Sequence, residues 1–151
     1  MKLPIKIITC CLVLLSINVA IQAQGWRGIV PLHSTRADVE RLFGAPNSQD
    51  GFYEFKSESV EFFYSKGPCV NGWNIPRDTV INIRVIPKRD LRLSQIKIDI
   101  RGFKKTKDGE LPGIYYYTSE EKGITIKTSA GLVVDVTYSW TNKDRNLLCH
   151  K

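Results

Sequence analysis

The side chains that carry most site chemistry are scarce here: 151 residues include two His, one Met and four Cys. So few imidazoles and thiols leave little for a multi-ligand metal site, so no metal and no cofactor is expected. The common catalytic motifs are missing as well. There is no glycine-rich phosphate cradle, no Gly-x-Ser-x-Gly elbow and no His-Glu-x-x-His pair. Internal repeats, low-complexity tracts and Asn-x-Ser/Thr acceptors are also absent. What remains is an ordinary globular composition, 42% hydrophobic and 25% charged, at a length that fits one domain.

No residue set nominates itself as catalytic. His33 and His150 stand alone, and His33 reads as a loop residue ahead of a helix rather than a ligand. A glycosidase needs two carboxylates flanking a cleft. Glu54 and Glu61 fall on adjacent expected strands, but they read better as solvent-facing partners of the apolar positions. A non-catalytic protein is therefore the leading expectation. A cell-envelope hydrolase with a site invisible in the sequence is one alternative, and a secreted inhibitor-like protein is another.

The N-terminus reads as a leader. Lys2 and Lys6 precede the uncharged, mostly apolar run Ile7 to Ile21, and the small residue Ala23 closes it. That pattern is a secretory signal peptide cut after Ala23, leaving residues 24–151 as a single α+β domain without a transmembrane span. An uncleaved anchor is the rival, but Lys6 leaves the run short of the ~20 apolar residues a spanning helix needs. Lipoprotein processing at Cys10 or Cys11 is rejected, because Thr9 precedes Cys10 and the apolar segment lies downstream. The expected destination is periplasmic or extracellular. Cleavage removes two Lys and two Cys, leaving a charge of +5 and a single cysteine pair, Cys69 and Cys149. An even count in an exported domain reads as a disulfide. The rival, Cys69 as a nucleophile, lacks a base in a recognisable context.

The clearest local signal runs from Thr35 to Pro46. Thr35 is an N-cap, Asp38 suits the positive helix end, and Val39, Leu42 and Phe43 share one face. Gly44 and Pro46 then end the helix. Upstream, Trp26 and Ile29 are expected to pack on the core. Downstream the pattern is of strands at 52–55, 59–64, 79–86, 114–118, 123–128 and 132–140, with Ser129-Ala130-Gly131 as a tight turn. Ile96, Ile98 and Ile100 alternate with Lys97 and Asp99, which argues for another strand, while Ser94 as an N-cap leaves a short helix open over 94–103. Polar residues 104–113 read as a mobile segment. The fold expectation is α+β: a short N-terminal helix on an antiparallel β-meander of about six to seven strands, with one disulfide.

Charge is unevenly placed. Residues 77–107 hold ten basic side chains (Arg77, Arg84, Lys88, Arg89, Arg92, Lys97, Arg101, Lys104, Lys105 and Lys107) against three aspartates. This strip is +7, so the rest of the exported chain is about −2. Such a strip attracts polyanions. Export disfavours nucleic acid and favours an anionic glycan or lipid headgroup. Outward-facing residues of alternating strands give the same charge pattern without any ligand. Tyr115, Tyr116 and Tyr117 follow the strip and are a candidate protein contact.

Residues 32–46, LHSTRADVERLFGAP, resemble the Thr-x-x-x-Val-x-x-Leu-hydrophobic-Gly-x-Pro helix of the SmpA/OmlA (BamE-like) lipoproteins and the related β-lactamase-inhibitor-protein fold. Thr35, Val39, Leu42, Gly44 and Pro46 carry the match. The resemblance implies a helix packed on an antiparallel sheet. The stretches GWRGIVPLHSTRADVERLFGAP, Gly67-Pro68-Cys69 and PGIYYYTSEEKGITI are also similar to a group of exported bacterial proteins, chiefly acidobacterial. That likeness implies an exported protein and brings no activity with it.

Overall fold

A computed structural model describes residues 25–48 and 51–149. The expected leader, residues 1–23, and His150 lie outside the described residues. Helix α1 (Arg36–Phe43) is followed by β1 (Phe52–Glu54), β2 (Glu58–Tyr64), β3 (Val80–Pro87), β4 (Lys104–Lys107), β5 (Ile114–Ser119), β6 (Ile124–Ser129) and β7 (Leu132–Tyr138). Short 3-10 helices cover Leu93–Gln95 and Asn142–Leu147. The fold is α+β and mostly sheet, as the sequence implies.

Helix α1 starts and stops where its sequence dictates. The Thr35 hydroxyl accepts from Asp38 N, and the Asp38 carboxylate accepts from Thr35 N. Gly44 adopts a φ of 80°, and its N–H returns to Glu40 O at 2.8 Å. Val39 is fully buried and Phe43 half-buried, but Leu42 is 46% exposed, contrary to the expected three-residue face. Only the i, i+4 stripe of this short helix meets the sheet, and Leu42 falls outside it. Beneath the helix, Trp26 packs on Phe43 (ring centroids 5.3 Å) and Phe55 (5.4 Å), while Tyr53 meets Phe62 edge-on at 5.5 Å. Val60, Val80 and Ile83 complete this first cluster.

All seven strands form one antiparallel sheet in the order β1-β2-β3-β7-β6-β5-β4. It is two meanders, β1–β3 and β4–β7, placed side by side. Counting antiparallel pairs across the sheet makes β3 and β4 parallel, so their link must recross the sheet. Residues 88–103 are that link. They run as a strap over the second half of the sheet, burying Leu91, Leu93, Ile96, Ile98, Ile100 and Phe103 against Ile124, Ile126, Val133, Val136 and Tyr117.

The isoleucine alternation is thus real in burial but is no strand. Ile96, Ile98 and Ile100 turn inward and Lys97 and Asp99 outward, yet none joins a ladder. Two backbone links hold the strap's beginning, an Arg92–Leu132 bridge and Val133 N to Leu91 O at 2.7 Å. The segment expected to be mobile also contains a strand, because Lys104–Lys107 is the sheet's outermost member.

Register sets the two faces. Tyr53, Val60, Val85, Val136, Ile126, Tyr117 and Lys105 are successive cross-strand neighbours on the covered face. One residue along, Phe52, Glu61, Arg84, Thr137, Thr125, Thr118 and Lys104 form the matching row on the opposite face. A third cluster (Leu32, Trp73, Ile75, with Ile81, Trp140 and Leu147) closes one end of the molecule. The Cys69–Cys149 disulfide, with a Cα separation of 5.6 Å, fastens the last described residue beside it.

Candidate functional site

The structure sorts the basic strip into two populations. Arg84 stands on β3 between Glu61 Oε2 (3.7 Å) and Asp135 Oδ2 (3.6 Å), so flanking carboxylates compensate its charge. Lys88 is ion-paired with Glu54. Arg101 folds back on Asp99, donating from Nε and Nη2, and holds that carboxyl well below its usual range. These three cations are partnered within the fold.

Arg89, Arg92, Lys97, Lys104, Lys105 and Lys107 are all exposed, and none has an ion-pair partner among the described residues. They lie on the strap and on β4. Arg77 falls elsewhere, in the loop before β3. Lys105 Nζ sits 4.3 Å from the Tyr115 ring centroid and 5.5 Å from that of Tyr117, so a cation meets two aromatic faces.

The three tyrosines do not form one patch. Tyr115 and Tyr117 share the covered face with Lys105, whereas Tyr116 points to the other side. There its hydroxyl donates to Asp108 Oδ2 at 3.0 Å, which raises the phenol and, behind two backbone N–H bonds, helps lower the carboxyl. All three are half-buried.

Residues that no linear motif announces also join this side of the molecule. Lys122, from the β5–β6 turn, donates to Asp99 O at 2.8 Å and lies 5.3 Å from the Phe103 ring, tying the strap down. Lys127 lies 5.9 Å from Tyr116 on the opposite face. Register, not sequence proximity, brings both into place.

Other polar constellations are structural. His33 Nε2 lies 2.8 Å from Asp144 Oδ1, and the second Asp144 oxygen accepts from Thr141 N and Oγ1. Burial opposes the Asp144 charge, but these hydrogen bonds outweigh it and lower the pKa. No hydroxyl or thiol is hydrogen-bonded to His33 among the described residues. The pair clasps the loop before α1 to the C-terminal turn. Glu54 and Glu61 both face the side opposite the helix, each beside a cation. The Lys88 contact lowers the Glu54 pKa, the reverse of what a general acid requires.

One shallow groove of about 400 Å³ lies near the start of α1, lined in part by Arg36, Tyr64, Lys66, Arg77 and Asp78. Arg36 bonds Asp78 at 3.2 Å and covers the Tyr64 ring at 3.9 Å. Burial pushes the Tyr64 phenol upward, and its hydroxyl has no hydrogen-bond partner among the described residues. No trio of His, Cys, Asp or Glu among the described residues is placed to hold a metal, and no helix among them is long and apolar enough to cross a membrane. Comparison with protein-family models, curated proteins and solved structures finds no match for this chain.

Proposed function

We propose that the protein is an exported, non-catalytic binding module whose strap and β4 engage an anionic partner, either an acidic protein segment or an envelope polyanion. The observation that carries this reading is the sorting of charge. Arg84, Lys88 and Arg101 are partnered, whereas six cations on the strap and β4 are exposed and have no ion-pair partner among the described residues. Unpaired surface cations form a field that steers and holds anions, and salt screens it. The apolar leader and the Cys69–Cys149 bridge support export. The capped helix against an antiparallel sheet supports the likeness to the BamE-like fold, which adds an envelope setting and no activity.

Retention on immobilised dextran sulfate across a salt gradient tests the proposal. The native protein is expected to bind at low salt and elute as salt rises. A Lys97→Gln/Lys105→Gln/Lys107→Gln variant is expected to elute markedly earlier. Co-elution of the two proteins overturns the assignment to this surface.

A further inference from the structure

The two ends of the sheet are finished differently. At β1 the outer edge is filled by the chain itself: Asn47 N donates to Phe52 O at 2.9 Å, and Asn47 Oδ1 accepts from Glu54 N at 2.8 Å. At β4, nothing among the described residues pairs with the outer edge.

The direction of the β4 backbone follows from its register. Lys104 to Lys107 pair with Thr118 to Tyr115, and the next residue, Asp108, donates its N–H to Ile114 O at 3.0 Å. Hydrogen-bonded and non-hydrogen-bonded pairs alternate along an antiparallel ladder. Lys104 and Thr106 therefore turn their amides toward β5, and Lys105 and Lys107 turn theirs outward. All four side chains are exposed. Lys105 and Lys107 lie on the face of Tyr117 and Tyr115, and Lys104 lies on the other.

Lysine on an edge strand discourages pairing with like strands. Two copies of this edge would set three lysines against three. That repulsion is selective, however, because the same charges attract a strand of opposite sign. An added strand places alternate side chains on one face, where carboxylates at every second position meet Lys105 and Lys107.

We propose that the outer edge of β4 takes up an extended acidic peptide segment of a partner protein as an eighth strand, with backbone bonds at Lys105 and Lys107 and carboxylates against the lysines. This inference rests on the reading of strap and β4 as the anion-binding surface and adds the mode and the partner class.

Three probes separate the mode from the charge: a heptapeptide of alternating Glu and Thr, the same peptide N-methylated at every backbone amide, and dextran sulfate. N-methylation removes strand hydrogen bonds and keeps every carboxylate. The parent peptide is expected to bind and to slow amide exchange at Lys105 and Lys107. The methylated peptide is expected to bind about tenfold or more weakly, the effect of losing two or so hydrogen bonds. In the protein, Lys105→Pro removes an outward donor without touching the β5 ladder, and is expected to weaken peptide binding more than Lys105→Gln.

Equal affinity for the two peptides, or retention of dextran sulfate without peptide binding, overturns strand addition and leaves the basic surface standing. Failure of both peptide and dextran sulfate to bind overturns both proposals. The peptide comparison uses native protein, so it decides the matter even if Lys105→Pro does not fold.

Discussion

Removing the disulfide has a cost that follows from the sequence separation it closes. Cys69 and Cys149 are 80 residues apart. In the chain-entropy model, opening a loop of that length frees roughly 15 cal/mol/K in the unfolded state, or about 4.5 kcal/mol at 25 °C. The native state keeps other ties at the same corner. Asn74 N bonds Leu147 O at 2.8 Å, Cys149 N bonds Gly72 O at 3.0 Å, and Trp73 lies 5.3 Å from Trp140. A Cys69→Ala/Cys149→Ala variant is therefore expected to fold with the same sheet and to be less stable by about 3–5 kcal/mol. For a domain of this size that corresponds to a Tm lowered by roughly 15 °C. Urea and thermal unfolding of the native and double-variant proteins measure it. Amide exchange should rise first at residues 69–74 and 147–149. A loss under about 1 kcal/mol would refute the reasoning, because the bridge would then close no significant loop in the unfolded chain.

Three further outcomes follow from the packing and the caps. Ile98→Ala, at a half-buried strap position, is expected to cost about 1–2 kcal/mol in urea unfolding and to speed exchange at Val133 N, which bonds Leu91 O. Ala130 holds a φ of 49° beside Gly131 at 81° in the two-residue β6–β7 turn, so Ala130→Asn should raise stability by about 0.5–1 kcal/mol. Hydrogen bonds from Thr35, with Arg41, hold the Asp38 pKa at about 2, against an ordinary value of 3.8. A lowered carboxyl pKa contributes stability above its unfolded value and loses it as pH falls towards 2. NMR titration of Thr35→Ala should show the Asp38 midpoint rising only part of the way, because the backbone bond at position 35 and the Arg41 contact remain, while loss of the cap weakens the helix by about 1 kcal/mol.

Features set by neighbours in the chain were legible in the sequence. The Thr35 N-cap, the Gly44 stop and the Ala130-Gly131 turn depend on a few consecutive residues, and each appears where its signal lies. Features set by distant contacts were not. Period-two alternation reports that one side of an extended segment is buried, not that its backbone has a partner. Ile96, Ile98 and Ile100 satisfy that pattern by lying over a sheet rather than within it. Conversely, β4 has no buried side chain, so it carries no hydrophobic period and reads as a loop.

The basic strip shows the same limit. A linear count treats Arg84 and Lys105 alike, yet register places Arg84 between Glu61 and Asp135 and sends Lys105 to an outer edge that no described residue pairs with. The tyrosine run is divided for the same reason, since neighbouring residues of a strand face opposite sides.

Two variants with equal loss of charge separate the partnered cations from the unpaired ones. One replaces the partnered cations (Arg84→Gln/Lys88→Gln/Arg101→Gln), and the other replaces unpaired ones (Lys97→Gln/Lys105→Gln/Lys107→Gln). Dissociation constants for dextran sulfate are measured at one ionic strength, after circular dichroism shows both variants folded. The second variant is expected to lose about tenfold or more in affinity, while the first stays within about threefold of the native protein. Equal losses in the two variants are the contrary result, because total charge rather than the unpaired cations of the strap and β4 would then govern binding.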